Sequence, residues 1–156
     1  MNKIYYFIYL LYWIMPVLFY YDAWIEKALN DFAFGLRLEV GIFKQGTLIG
    51  LLGLGDINQR RQSASLSYAL DGRFRRQGIT TRCCRSLITY AYEQLHLNRL
   101  QILVDVANIP SCRVPESLGF TKEGVIRHFY RASDGFRDCA LYSLLRHEWK
   151  TYTVEI

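Results

Sequence analysis

Hydrophobic positions along this chain change their period several times, and each change marks an element. Ile25, Ala28, Leu29 and Phe32 recur at helical spacing after Asp22, a residue suited to a helix cap, and Gly35 ends the run. A helix is predicted from Asp22 to about Phe34. Leu36, Leu38, Val40 and Ile42 then alternate with Arg37, Glu39, Gly41 and Phe43, which is strand spacing, and Gln45-Gly46 turns the chain into a second strand from Thr47 to Leu54. A polar loop, Asn58 to Gln62, leads to a third strand from Ser63 to Leu70 with Leu66, Tyr68 and Leu70 on one face. From Gly78 to Leu95 the residues Ile79, Cys83, Cys84, Leu87, Ile88, Ala91 and Leu95 form a broad helical stripe. Leu100 to Val106 is almost continuously apolar, as expected of a strand buried on both faces. Pro110 opens a short helix that contains Pro115 and ends at Gly119. A final hairpin pairs Phe120 to Arg131 with Phe136 to Leu145 through Ser133-Asp134-Gly135.

A chain of 156 residues, 51% hydrophobic and 21% charged, has room for one domain with one core. The formal charge of +5 favours acidic partners, but no helix-turn-helix or aromatic-basic motif accompanies it, so direct nucleic-acid binding is not expected. Cys83, Cys84, Cys112 and Cys139 lack Cys-x-x-Cys spacing and paired histidines, which argues against a metal site or a redox pair. Reduced thiols in the cytoplasm fit them best. The anomaly is Ile4 to Tyr21, which carries no charge and follows Lys3. Its length is near the lower limit for a membrane anchor, so an anchor through residues 4–21 stays open, although Pro16 and many tyrosines speak against it. The segments read as a hydrophobic N-terminal piece, 1–22, a domain, 23–150, and a tail, 151–156.

The chemistry gathers at two places. Arg75-Arg76-Gln77-Gly78-Ile79-Thr80-Thr81 is a glycine turn feeding a helix N-terminus, where unpaired N–H groups and the helix dipole favour phosphate. Arg73, Arg75, Arg76 and Arg82 crowd that turn, so a diphosphate suits it. About thirty residues later comes Asn108 to Phe120, with Ser111 followed by Leu118-Gly119-Phe120. Together with Gln45 to Gly50, Leu66 to Leu70, Leu95 to Arg99, Glu123-Gly124, Asp138, Tyr142 to Leu145 and Glu148-Trp149, these segments resemble the GNAT superfamily of N-acetyltransferases from about Phe34 to Trp149. Within it they are similar to the RimJ/RimL type, which acetylates protein N-termini, including those of ribosomal proteins. Arg75, Gly78 and Thr80 match the family's Gln/Arg-x-x-Gly-x-Gly/Ala coenzyme loop, Thr80 being a departure from the small residue expected last.

That resemblance implies an α/β fold with a mixed, mostly antiparallel central sheet flanked by helices. Trp13 to Pro16 resembles a piece that follows the family's first strand, so that strand is expected to be missing. It further implies acetyl-CoA as cosubstrate, no metal, and direct attack by a primary amine, with a ribosomal or other protein N-terminus as acceptor and a homodimer as an open assembly. A small-amine acceptor such as a polyamine or antibiotic, or a catalytically degenerate binding module, are the alternatives. The third strand and the strand after the coenzyme helix are expected to splay around pantetheine at Ser67 to Asp71 and Leu103 to Asp105. Tyr68, Leu70, Arg75, Arg76, Gln77, Gly78, Ile79, Thr80, Thr81, Asn108 and Ser111 are the expected coenzyme contacts. Ser111 is the expected proton donor to the thiolate, with a plain helix-bracing role as its alternative. The family's basic glutamate is replaced by Tyr130, a poor base, and His128, two residues earlier and so expected on the same strand face, is the other candidate. Glu123 and Asp138 are expected to fix a loop and the hairpin, and Cys112 to be a small hydrophobe.

Overall fold

Gly35, at φ +67°, ends the first described helix, α1 (Leu18–Ala33), because its left-handed conformation lets the Leu36 N–H reach the Asp31 carbonyl at 2.7 Å. The computed structural model describes residues 18–150. Residues 4–17 of the apolar run, the Trp13 to Pro16 piece and the tail 151–156 lie outside them. Asp22 was expected to cap α1 but falls inside it, since the apolar positions before it continue the helix back to Leu18. Ile25 is buried, with Ala28 and Leu29 partly so, while Phe32 is exposed.

Six strands follow in one sheet: β1 (Leu38–Lys44), β2 (Thr47–Asn58), β3 (Ser63–Leu70), β4 (Arg99–Asp105), β5 (Thr121–Ala132) and β6 (Gly135–Leu145), in the order β1-β2-β3-β4-β6-β5. All neighbours are antiparallel except β3 and β4, so the sheet is mixed and mostly antiparallel. Gln45 and Gly46 both adopt positive φ, which matches the right-handed twist of the hairpin they join. β2 runs past the expected end at Leu54 because a bulge at Asp56, φ +50°, re-aims the strand and lets the Ile57 N–H bond the Leu36 carbonyl.

The parallel connection from β3 to β4 runs through a short 3₁₀ turn (Gly72–Phe74) and α2 (Ile79–Glu93). Cys84, Leu87, Ile88, Ala91 and Tyr92 on α2 join Leu54, Leu66, Leu100, Ile102, Tyr142 and Leu144 in one core. Fully burying each such aliphatic side chain contributes about 1.5–3 kcal/mol. The buried Tyr92 hydroxyl donates to the Leu144 carbonyl at 2.7 Å. β4 was expected to be apolar on both faces, but only Leu100, Ile102 and Val104 are buried. Its other face carries polar side chains that satisfy one another: the Gln101 amide donates to Ser65 Oγ at 3.1 Å. Further along the same face Ser143 Oγ donates to Glu123, which also takes a two-pronged bond from Arg99 at 2.6 and 2.7 Å. Glu123 thus ties β5 to β4 across β6.

Only three residue pairs join β3 to β4, Ser63 to Arg99, Ala64 to Leu100 and Ser65 to Gln101. Beyond them β3 stays with β2 as far as Leu70, and β4 stays with β6 as far as Asp105, so the two strands diverge. Above the gap lies α3 (Ile109–Ser117). Pro115 sits inside this helix and has no N–H, so the carbonyl four residues earlier, that of Ser111, loses its helical donor. The Tyr68 hydroxyl on β3 donates to that carbonyl at 2.9 Å, and burial pushes its pKa up. A proline in one wall of the gap is therefore answered by a tyrosine in the other.

Replacing Tyr68 by Phe leaves the Ser111 carbonyl without a partner and lowers unfolding free energy in urea by about 1–3 kcal/mol, and Pro115→Ala in the same chain recovers part of it by restoring an N–H. Strictly additive losses in that cycle would refute the link. Glu123, held at a pKa of about 2 by Arg99 and then Ser143, stabilises the fold fully above its ordinary 4.5 and loses this contribution as pH falls from there toward about 2. Glu123→Gln accordingly flattens the acid limb of a stability-versus-pH curve.

Candidate functional site

The divergence of β3 and β4 opens at the strands' C-terminal ends, and the two segments singled out in the sequence flank it. α2 begins at Gly78, φ +68°, with no side chain capping its first turn. The N–H groups of Ile79, Thr80 and Thr81 consequently have no helical acceptor. A Cβ on Gly78 would stand 3.2 Å from Arg82 Nη1, and Arg76 two residues earlier is also left-handed, φ +61°. Such alternation turns successive N–H groups to one side. Gln77 is pinned from both directions, its side chain by Lys44 at 3.2 Å and its carbonyl by Arg82 at 3.0 Å.

The four arginines of this turn are not equivalent. Arg73 is paired with Asp71 at 2.5 Å, and that pairing, first through the guanidinium and then through the Arg73 N–H, pulls the Asp71 carboxyl down to about 2. Arg82 is engaged with the Gln77 carbonyl. The guanidinium groups of Arg75 and Arg76 are exposed and make no hydrogen bond or close ion pair among the described residues, Arg75 only adding to the field on Asp71, so both are left facing outward as unengaged cations.

On the other flank Asn108 caps α3 by accepting the Ser111 N–H at 3.3 Å, so its side chain braces the turn. Ser111 is half-buried, its carbonyl is taken by Tyr68, and its Oγ makes no hydrogen bond among the described residues. α2 and α3 approach each other where Thr81 Oγ1 meets Ser117 Oγ at 3.5 Å. That contact joins the first turn of α2 to the last turn of α3, while the Tyr68 bond ties Ser111 to β3. Cys112 Sγ lies 3.7 Å from the Asp105 carbonyl, a small side chain packed against the core.

The two candidate bases separate. Tyr130 on β5 donates its hydroxyl to Asp105 Oδ2 at 2.8 Å, and this bond raises its pKa further from a base's range. β5 bulges between Ile126 and Tyr130, and His128 within the bulge has φ +50°, with its N–H held by Asp138 Oδ1 at 2.8 Å. The His128 ring stacks on Phe136 at 5.0 Å. Tyr130 pairs with Arg137, the neighbour of Phe136, so His128 and Tyr130 occupy opposite faces, not the same one. The two-residue alternation that placed them together fails at the bulge.

Asp105, expected to offer only its main chain, has a side-chain setting of its own. It accepts from the Ala107 N–H and from Tyr130, each at 2.8 Å, and lies 3.8 Å from Arg137 Nε. The Ala107 bond, then the Tyr130 bond, lower its pKa. The one available signal was its position at the end of a strand beside Asn108. A polar cavity of ≈ 360 Å³ lined by Asp56, Arg61, Ser65 and Arg99 lies at the other end of β3 and β4, where they are paired, away from both flanks of the gap. No three potential metal ligands cluster, and no helix is long and apolar enough to cross a membrane, among the described residues.

This arrangement has known counterparts. A family model described as acetyltransferase (GNAT) domain matches residues 13–121. YdaF of Bacillus subtilis (strain 168), provisionally named a ribosomal N-acetyltransferase, is 39% identical over 113 residues, which are 72% of this chain and 62% of that protein. The spermidine N(1)-acetyltransferase of Escherichia coli (strain K12) is 24% identical over 67% of this chain and 56% of its own. The chain thus spans under two thirds of these relatives' length. Among solved structures, a protein assigned as an acetyltransferase superposes with a TM-score of 0.78 at 37% identity, covering 80% of this chain and 71% of that one. The microcin C7 self-immunity acetyltransferase MccE, in complex with acetyl-CoA and AMP, does so at 0.73 and 25%, covering 79% and 68%. With more than half of its length matched by the family model and the diverging strands, glycine-started helix and serine-bearing short helix all in place, this chain belongs to the GNAT acetyltransferase family.

Proposed function

We propose that the protein is an acetyl-CoA-dependent N-acetyltransferase acting on a primary amine, the N-terminal amine of a protein. The observation that carries this reading is the divergence of β3 from β4 after three pairs, bordered by the uncapped start of α2 and by Ser111. The residues fit the cosubstrate. Ile79, Thr80 and Thr81 offer main-chain donors to a diphosphate, with Arg75 and Arg76 as its counter-charges and Gly78 and Gln77 shaping the turn. The edges of β3 through Tyr68 and Leu70, and of β4, offer main-chain partners to the pantetheine amides. Asn108 holds the α3 turn that presents Ser111.

In the reaction a neutral amine nitrogen attacks the thioester carbonyl carbon, a C–N bond forms and the C–S bond breaks. The nitrogen loses a proton to water, and the thiolate takes one from Ser111 Oγ, which solvent replaces. Tyr130 and His128 need not act as bases, because a fraction of an exposed amine is neutral at working pH. The YdaF relative favours a ribosomal acceptor, whereas the spermidine N(1)-acetyltransferase favours a small polyamine as the second reading.

Calorimetric titration with acetyl-CoA is expected to give saturable binding, and thiol release with amidated peptides bearing free N-termini, set against spermidine, decides the acceptor. No binding at hundreds of micromolar, roughly −5 kcal/mol or weaker, would sink the reading. Gly78→Val weakens that binding and costs about 1–2 kcal/mol of stability, since a branched residue resists positive φ. Ser111→Ala lowers kcat about 10- to 100-fold while leaving acetyl-CoA affinity within about twofold, and an equal loss in both would assign Ser111 to structure alone.

A further inference from the structure

The acceptor's approach is constrained by which face of the sheet the helices occupy. α2 and α3 close the face that carries Leu66, Leu100 and Ile102, and the proposed diphosphate donors lie at the start of α2. Under the proposed function the amine is then placed on the opposite face of the gap between β3 and β4. Asp105 is on that face at the rim of the gap, in register with Cys139. Arg137, two residues before Cys139, shares its face, and Tyr130 pairs with Arg137. The carboxylates of this hairpin are committed elsewhere: Glu123 to Arg99 and Ser143, Asp134 to Arg137, and Asp138 to the His128 N–H.

An ionised carboxylate offers about four acceptor positions. Ala107 N–H and the Tyr130 hydroxyl take one on each oxygen of Asp105, and Arg137 approaches a third at 3.8 Å without closing to a hydrogen bond. Its side chain is 19% exposed, enough to meet a ligand and little enough to be held in one orientation. Ile126, in register with Cys139 on β5, and the Tyr130 ring add exposed apolar surface on the same face.

We infer that Asp105 receives the acceptor amine, with Tyr130 as the positioning residue that orients the carboxylate toward the gap. This assignment rests on the acetyltransferase reading. Asp105 accepts an N–H of the neutral amine and stabilises the positive charge that grows on nitrogen as it bonds to the acetyl carbon. The surplus proton then leaves for water past Asp105, and the electron pair of the broken C–S bond departs with sulfur. A low carboxylate pKa suits an electrostatic partner of this kind, which stays ionised throughout. Arg137 beside it offsets part of the negative charge.

Steady-state acetyl transfer by the full chain, with amidated free-amine peptides and spermidine as acceptors, tests the assignment. Asp105→Asn preserves an acceptor for the Ala107 N–H, and is expected to raise acceptor KM about 10- to 100-fold while acetyl-CoA affinity and thermal stability hold. Tyr130→Phe produces a smaller rise of about three- to tenfold, and the double variant is no worse than Asp105→Asn alone, since both act through one carboxylate. A variant Asp105→Asn that is folded, binds acetyl-CoA and keeps its acceptor KM and kcat within about twofold overturns the assignment while the activity stands. Failure of the unaltered chain to bind acetyl-CoA overturns the activity itself, and Asp105's role with it.

Discussion

The fold turns on the parting of two parallel strands after three residue pairs. A sheet normally completes its backbone hydrogen bonds, so strands that stop pairing leave polar edges that something else must satisfy. Each strand here is drawn away by its outer neighbour, β3 by β2 and β4 by β6, and the parted ends are spanned by the Tyr68 hydroxyl bonded to the Ser111 carbonyl. Pro115 makes that bond necessary by withholding a helical donor. A residue that weakens α3 as a helix thereby fixes it to β3 as a wall, with Ser111 Oγ on the turn so held.

Charge in the molecule is arranged around the same gap. On one flank Arg73 and Arg82 are spent on local structure, while Arg75 and Arg76 are left beside unpaired helix-start N–H groups. On the rim opposite, a single carboxylate, Asp105, is oriented by Ala107 and Tyr130. Cations and an anion thus stand on two sides of one opening, a layout that suits the proposed acyl transfer from an anionic carrier to a basic acceptor. At the paired end of β3 and β4 Arg99 is paired with Glu123.

Much of this was legible in residue order. β3 appears with the bounds its alternation gives, and the hairpins follow their turn residues, because local spacing and turn chemistry act within a few positions. The glycine turn and the Asn108–Ser111 segment were readable as motifs. What was hidden depends on partners distant in sequence. The extension of β2 past Leu54 and the separation of His128 from Tyr130 both come from bulges, which break the two-residue alternation and leave no local mark beyond a non-glycine at positive φ. β4 looked apolar on both faces because only Gln101 and Asp105 interrupt the run, and the Ser65 partner of Gln101 is a strand away. Asp105 escaped notice because a carboxylate's role is set by what donates to it, and Tyr130 lies across two strands.

Determining the structure with coenzyme A bound tests the central claim most directly. The diphosphate is expected within hydrogen-bond reach of the Ile79, Thr80 and Thr81 N–H groups, with pantetheine between β3 and β4 and its sulfur beside Ser111 Oγ. A coenzyme seated instead in the polar cavity near Asp56 and Arg61, or a gap closed by side chains between Tyr68 and Asp105, would contradict it.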